Sequence, residues 1–147
     1  MKKIILIAFL IPASLFAQTK GDNTIIIKKI SFADVVNGLL DNGYTIQKLD
    51  SNYKTVTTDF INCPMDNGKP STFNISIYVR VKDSTAFISS KWFSNIGLSR
   101  GLFQSSREPG PMDIYPIVYT WGANKHGFMH MNKFAQSLKQ PVLYAKQ

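Results

Sequence analysis

Apolar and polar residues alternate between positions 73 and 82, which predicts a β-strand with one buried face. A second β-rich stretch, residues 85–93, follows the pair Asp83-Ser84, whose composition suits a two-residue hairpin turn. A one-residue shift between the strands would bury charged side chains, so the register is strongly specified. The predicted cross-strand pairs are Val81 with Ala86, Val79 with Ile88, Ile77 with Ser90, and Ile75 with Trp92.

One face of this hairpin is therefore expected to be almost wholly apolar and covered by other elements. The opposite face carries the intervening residues and is expected to contact solvent. Its members are Ser76, Tyr78, Arg80, Phe87 and Lys91.

The segment 32–42 follows a helical period rather than a strand period. Ser31 is suited to cap its first turn, and Asp34 lies three residues later, as a capping box requires. Asn42-Gly43 predicts the end of this helix. A second helix is predicted over residues 127–140, before Pro141. The apolar stripes that support the two helices are Phe32, Val35, Val36, Leu39 and Leu40, and Phe128, Met131, Phe134, Ala135 and Leu138.

Short β-branched stretches complete the pattern. Pro116 cannot donate a ladder hydrogen bond, so the strand that contains it is expected at a sheet edge. The order of elements is β-α-β-β-β-β-(β)-α, which predicts an α+β fold: one antiparallel sheet of about five or six strands with two helices on one face. The further predicted strands cover residues 24–29, 44–49, 54–61, 114–121 and 142–144.

The first 17 residues predict a secretory signal peptide. A basic start at Lys2 and Lys3 precedes an apolar run that is too short to span a membrane, and cleavage is expected between Ala17 and Gln18. The remaining residues, 18–147, suffice for one domain with its own core. The Phe-Ala-Gln ending resembles signal peptides of the Bacteroidota. We therefore expect a periplasmic or secreted protein without a transmembrane segment.

The chain is basic, with a net charge of +8 that falls to +6 once Lys2 and Lys3 leave with the signal peptide. An exported protein whose basic residues are dispersed is not expected to bind nucleic acid. The charge favours anionic partners, such as lipid head groups or acidic glycans.

Few residues suggest catalysis. His126 and His130 lie four positions apart, as a zinc-binding pair on a helix would, but the sequence around them supplies no third ligand. Cys63 is the only cysteine, so no internal disulfide forms. It is interpreted as a small residue at a strand end, with a nucleophile or an intermolecular bridge as alternatives. We expect no catalytic residues, no bound metal and no cofactor.

Residues 95–113 combine glycines with two arginines and several large apolar residues. These side chains either pack onto the domain's own core or form a contact surface for a partner protein. The candidate binding residues are Leu98, Arg100, Leu102, Phe103, Arg107 and Met112.

The stretch Gly43-Tyr44-Thr45-Ile46-Gln47-Lys48-Leu49-Asp50, between a helix and a threonine-rich strand, resembles the helix-grip domains of envelope accessory proteins. The nearest family is that of lipoprotein C of the outer-membrane β-barrel assembly machine. The resemblance covers residues 24–93, but this chain lacks the lipidated cysteine and the second domain copy.

The resemblance implies a binding or scaffolding module. The one-sided sheet, the export signal and the absence of a catalytic set favour a non-catalytic module of the bacterial envelope, which contacts an envelope protein through residues 95–113 or an anionic surface. Two other functions remain open. The first is a carrier that holds an apolar ligand between sheet and helix. The second is a metal-dependent hydrolase that uses His126 and His130.

Overall fold

The computed structural model describes residues 18–63, 73–94, 114–120 and 123–146. The predicted signal peptide lies outside these residues. No described helix is long and apolar enough to cross a membrane. The elements are β1 (Thr24–Lys28), α1 (Phe32–Asp41), β2 (Ile46–Asp50), β3 (Thr55–Thr58), β4 (Ile61–Asn62), β5 (Phe73–Lys82), β6 (Thr85–Ser94), β7 (Tyr115–Pro116), α2 (Ala123–Ser137) and β8 (Val142–Ala145).

The fold is α+β, as predicted: an open antiparallel sheet carries helices packed against it. Six strands form its continuous core in the order β2-β3-β5-β6-β1-β8, while β4 pairs with β5 and β7 with β6. The chain's first strand therefore lies between the central hairpin and its last strand.

The β5–β6 hairpin confirms the predicted register, from Val81 opposite Ala86 to Ile75 opposite Trp92. Its turn residues Asp83 and Ser84 have φ angles of 49° and 55°. Positive φ at both central positions matches the right-handed twist of the flanking strands, so this turn fixes the pairing that follows.

Helix α1 begins with the predicted capping box. The Asp34 backbone N–H donates to Ser31 Oγ at 3.1 Å, and the Ser31 backbone N–H donates to Asp34 Oδ2 at 3.3 Å. These bonds satisfy two of the backbone donors that a helix start leaves unpaired. The helix ends at Asp41, and Gly43 then has a φ of 79°.

Helix α2 begins at Ala123, four residues before the predicted start, and ends at Ser137. Gly127, the first residue of the predicted helix, lies inside α2, and the space beside it is filled. A Cβ atom there would lie 2.6 Å from Ile117 Cδ1 and 2.8 Å from Phe73 Cε1. The predicted apolar stripe is confirmed, since Phe128, Met131, Phe134 and Ala135 are buried.

Two predicted strands are shorter than expected. The stretch 54–61 divides into β3 and β4, which pair with β5 at Val79 and Ile75 respectively. The strand predicted at 114–121 is limited to the two residues of β7, which pair with Lys91 and Trp92. Pro116 lies in this pairing, and next to it the Ile117 backbone N–H donates to the Ser90 carbonyl oxygen at 2.9 Å. The position of Pro116 in a short strand paired with β6 agrees with the expectation that proline lies at an edge.

The core lies between the sheet and the two helices. Ile25, Ile77, Val79 and Ile88 point toward the helices and are fully buried. Val35 and Leu39 of α1 and Phe128 and Phe134 of α2 belong to the same cluster. The other side of the sheet therefore lacks a helical cover from α1 and α2.

Candidate functional site

The most distinctive surface is the open face, defined as the side of β1, β2, β3, β5 and β6 that points away from the helices. Its centre carries small hydroxyl residues, and longer side chains surround them. The small residues Thr24, Thr57, Ser76 and Ser89 consequently line a depression of about 440 Å³, which we call the hydroxyl hollow. The longer residues Tyr78 and Lys91 also line it.

The arrangement of strands explains why the hollow forms there. β1 pairs with β6 from Thr85 to Ile88, and β7 pairs with the same edge at Lys91 and Trp92. These two short strands leave Ser89 and Ser90 between them. The ends of the two strands, Thr24 and Pro116, contribute to the wall of the hollow.

Hydrogen bonds make the floor of the hollow rigid. Ser76 was predicted to contact solvent on this face, but it is buried, and its hydroxyl donates to the Thr58 carbonyl oxygen at 2.6 Å. The Thr58 hydroxyl in turn accepts from the Ile77 backbone N–H at 2.9 Å. A floor held by bonds between two strands is preorganised, which lowers the entropy cost of binding.

A second, smaller depression of about 140 Å³ continues from the hollow toward Arg80 and Phe87. The two depressions share Thr24, Tyr78 and Ser89. The Arg80 guanidinium carbon lies 5.9 Å from the centre of the Phe87 ring, a cation–π contact across the hairpin. This contact holds Arg80 beside the hollow.

The open face is basic. Residues that lie directly opposite each other on neighbouring strands point to the same side of a sheet. Lys48 lies opposite Thr57 and Lys82 lies opposite Thr85, so both lysines belong to the open face. All of the lysines and the arginine on this face are exposed. Among the described strand residues, Asp50 is the one acidic side chain that shares this face with them. The five basic residues are Lys28, Lys48, Arg80, Lys82 and Lys91.

Three carboxylates, including that of Asp50, are engaged in local hydrogen bonds. Asp22 accepts hydrogen bonds from the backbone N–H and the hydroxyl of Thr19, at 2.7 and 3.0 Å. Asp34 caps α1, and Asp50 Oδ1 accepts from two backbone N–H groups of the β2–β3 turn. Within the described strands, the open face therefore carries five basic side chains and one carboxylate, that of Asp50.

His126 and His130 lie together on α2, with ring centres 5.0 Å apart, as their spacing predicted. His126 also lies edge-on to Phe73, 6.3 Å between ring centres. Across the described residues, however, no group of three or more His, Cys, Asp or Glu could hold a metal ion. The pair thus has no third ligand in this part of the chain.

Cys63 is fully buried. Burial raises the pKa of its thiol from 9.0 to about 12, so the thiol stays protonated near neutral pH. The thiolate is the nucleophilic form, and this environment therefore disfavours a catalytic or bridging role and agrees with the structural interpretation.

The predicted contact segment, residues 95–113, lies outside the described residues. This applies to all six candidate binding residues in it, and their role stays a prediction: Leu98, Arg100, Leu102, Phe103, Arg107 and Met112.

The sequence identified part of the open face but not the hollow. Alternation along the hairpin placed Tyr78, Arg80 and Lys91 on one side, and the structure confirms this. Thr24 and Thr57 come from strands distant in sequence, and alternation within one strand does not reveal which strands are neighbours. The one sequence feature that could have indicated the hollow was the short hydroxyl side chain at both of these positions.

No family model matches the chain, and no curated protein matches it.

Proposed function

We propose that this protein is an exported, non-catalytic binding module whose ligand occupies the open face of the sheet. The hydroxyl hollow is the observation that carries the proposal. Binding sites combine a depression with a few fixed polar groups, and both are present here on a preorganised floor. The export signal and the preference for an anionic partner, both inferred from sequence, fit a role at the cell envelope.

The alternatives have less support from the described geometry. A carrier needs space between sheet and helix, but Phe128, Met131 and Phe134 are fully buried in that region. A metal-dependent hydrolase needs further ligands beside His126 and His130. Both functions, and the helix-grip resemblance, stay predictions.

Co-sedimentation of the purified protein with the cell-envelope fraction of its source organism tests the proposal. Tyr78→Ala removes a side chain that borders the hollow, and Tyr53→Ala is the matched control in the β2–β3 turn. Both tyrosines are exposed, at 39% and 77%, so both variants should fold. We expect Tyr78→Ala alone to reduce sedimentation. Equal sedimentation of both variants would show that the open face is not the binding surface.

A further inference from the structure

We infer that the ligand of the open face is an acidic oligosaccharide, which lies across the strands with its sugar hydroxyls in the hydroxyl hollow and its acidic groups beside the surrounding basic residues. This inference rests on the proposed binding function and specifies the chemical class of the ligand.

The first argument is charge complementarity. Lys91 lines the large depression and Arg80 the smaller one, so a cation flanks each end of the joined hollow. Lys48 extends the basic side toward β2. Charged groups at such positions form strong hydrogen bonds with carboxylates or sulfates, and a guanidinium can bind a carboxylate through two nitrogen atoms.

The second argument is the chemistry between those cations. Thr57 and Ser89 are half-buried and present hydroxyls, which donate and accept hydrogen bonds as sugar hydroxyls do. Thr24 is buried, and its hydroxyl donates to Asn23 Oδ1 at 3.1 Å, so it shapes the wall of the hollow. Tyr78 adds an aromatic face with a polar end, a combination that suits a ligand with both apolar and polar surfaces. The basic residues Lys91 and Arg80 at the two depressions favour an acidic ligand over a neutral surface of a partner protein.

The third argument is shape. Lys48, Thr57, Tyr78 and Ser89 follow one another across neighbouring strands. Thr24 of β1 lines the same depressions as Ser89. This row crosses four inter-strand spacings, or about 19 Å, which suits an extended chain. A membrane surface would reach protruding groups, whereas these hydroxyls lie within a depression. The shape therefore favours a glycan chain over a lipid bilayer.

Calorimetric titration at physiological ionic strength can test the inference with short defined probes. The acidic probes are an oligogalacturonate and a sulfated oligosaccharide, and the methyl ester of the same oligogalacturonate is the neutral control. Short oligosaccharides are preferable because a long polyanion binds many basic proteins without specificity. Vesicles that contain phosphatidylglycerol test the membrane alternative.

Matched variants locate the binding site. Lys91→Gln removes a charge at the hollow, and Lys133→Gln removes one from the exposed surface of α2. Both variants lose the same charge, so only a local contact distinguishes them. We expect Lys91→Gln to weaken binding of an acidic probe about tenfold and Lys133→Gln to leave it nearly unchanged. Tyr78→Ala should weaken it as well.

The other outcomes separate the two proposals. Equal binding of the acid and its methyl ester, with loss in Tyr78→Ala, overturns the acidic class but supports the open face as the site. Binding to vesicles but to neither oligosaccharide overturns the proposal that the ligand is a glycan. If neither acidic probe binds, the proposal of an acidic glycan ligand is also overturned. The envelope sedimentation experiment then tests the proposed binding function independently. Equal affinity of all three variants for an acidic probe overturns the open-face location itself.

Discussion

Cys63 and Tyr44 show how burial changes the chemistry of individual side chains. Burial is the larger cause of the raised pKa of Tyr44, about 12, and the nearby Cys63 thiolate would add repulsion. The thiol itself also has a pKa of about 12 for the same reason of burial. Both groups are neutral when protonated, so the folded state favours their protonated forms.

The first prediction concerns stability in alkaline solution. Below the pKa of the unfolded-state thiol, near 9, Cys63 is protonated in both the folded and the unfolded protein. Its full contribution to the free energy of unfolding is therefore present in that range. Above that pH the unfolded state ionises first, and stability is lost progressively toward the folded pKa near 12. Urea unfolding between pH 8 and pH 11 should show this decline.

The control for this measurement is Cys63→Ala, which lacks the thiol but retains the other titratable groups. Its stability should fall less than that of the wild type over the same range. Parallel stability curves for the two proteins would contradict a strongly raised thiol pKa.

At the scale of elements, the helices illustrate what local sequence determines. Ser31 and Asp34 define the start of α1 through bonds within four residues, so its position was predictable. The start of α2 was not predictable in the same way, because Gly127 inside the helix packs against Phe73, which is remote in sequence, as well as against Ile117. Likewise, Asp83-Ser84 predicted the hairpin, but the division of β3 from β4 depends on pairing with β5.

The second prediction compares glycines within the two helices. Alanine is favoured over glycine in a helix by about 1 kcal/mol. At Gly127 the new methyl group would meet buried Ile117 and the ring of Phe73, and such overpacking costs about 1–3 kcal/mol. Gly127→Ala should therefore destabilise the protein despite the gain in helix propensity.

Gly38→Ala in α1 is the matched control. Its methyl group would approach the end of the half-buried Leu138 side chain, which can move more easily than a buried ring. Chemical denaturation should thus show a small effect for Gly38→Ala and a clear loss for Gly127→Ala. A more stable Gly127→Ala variant would indicate that α2 is less tightly packed than described.

At the scale of the whole molecule, the sheet order was the part that sequence could not supply. Alternation predicted the strands and the covered side, so the α+β class followed. The placement of β1 between β6 and β8 depends on contacts between distant parts of the chain. The hydroxyl hollow depends on that placement, which is why its residues were not recognised as a group.

The third prediction tests the role of β8. Its pairing from Val142 to Ala145 covers one edge of β1, and the Tyr144 hydroxyl donates to Asn132 Oδ1 of α2 at 3.0 Å. Removal of residues 141–147 should lower the melting temperature and promote self-association, since β1 becomes an open edge. Thermal unfolding and size-exclusion chromatography measure the two effects.

Removal of residues 146–147 alone provides the control, because it leaves every pair of β8 intact. This shorter deletion should change both properties little. A monomeric, equally stable protein without β8 would show that the last strand contributes little to the sheet.

The position of β1 determines the order in which the sheet can be completed. The β5–β6 hairpin closes through a two-residue turn and can form early, whereas β1 must first join β6 across more than fifty intervening residues. Its other edge stays unpaired until β8, the final strand, has emerged from the ribosome. Such long-range pairing slows folding. A chain that carries the predicted signal peptide would benefit from slow completion of the sheet, because an unfolded chain stays competent for translocation.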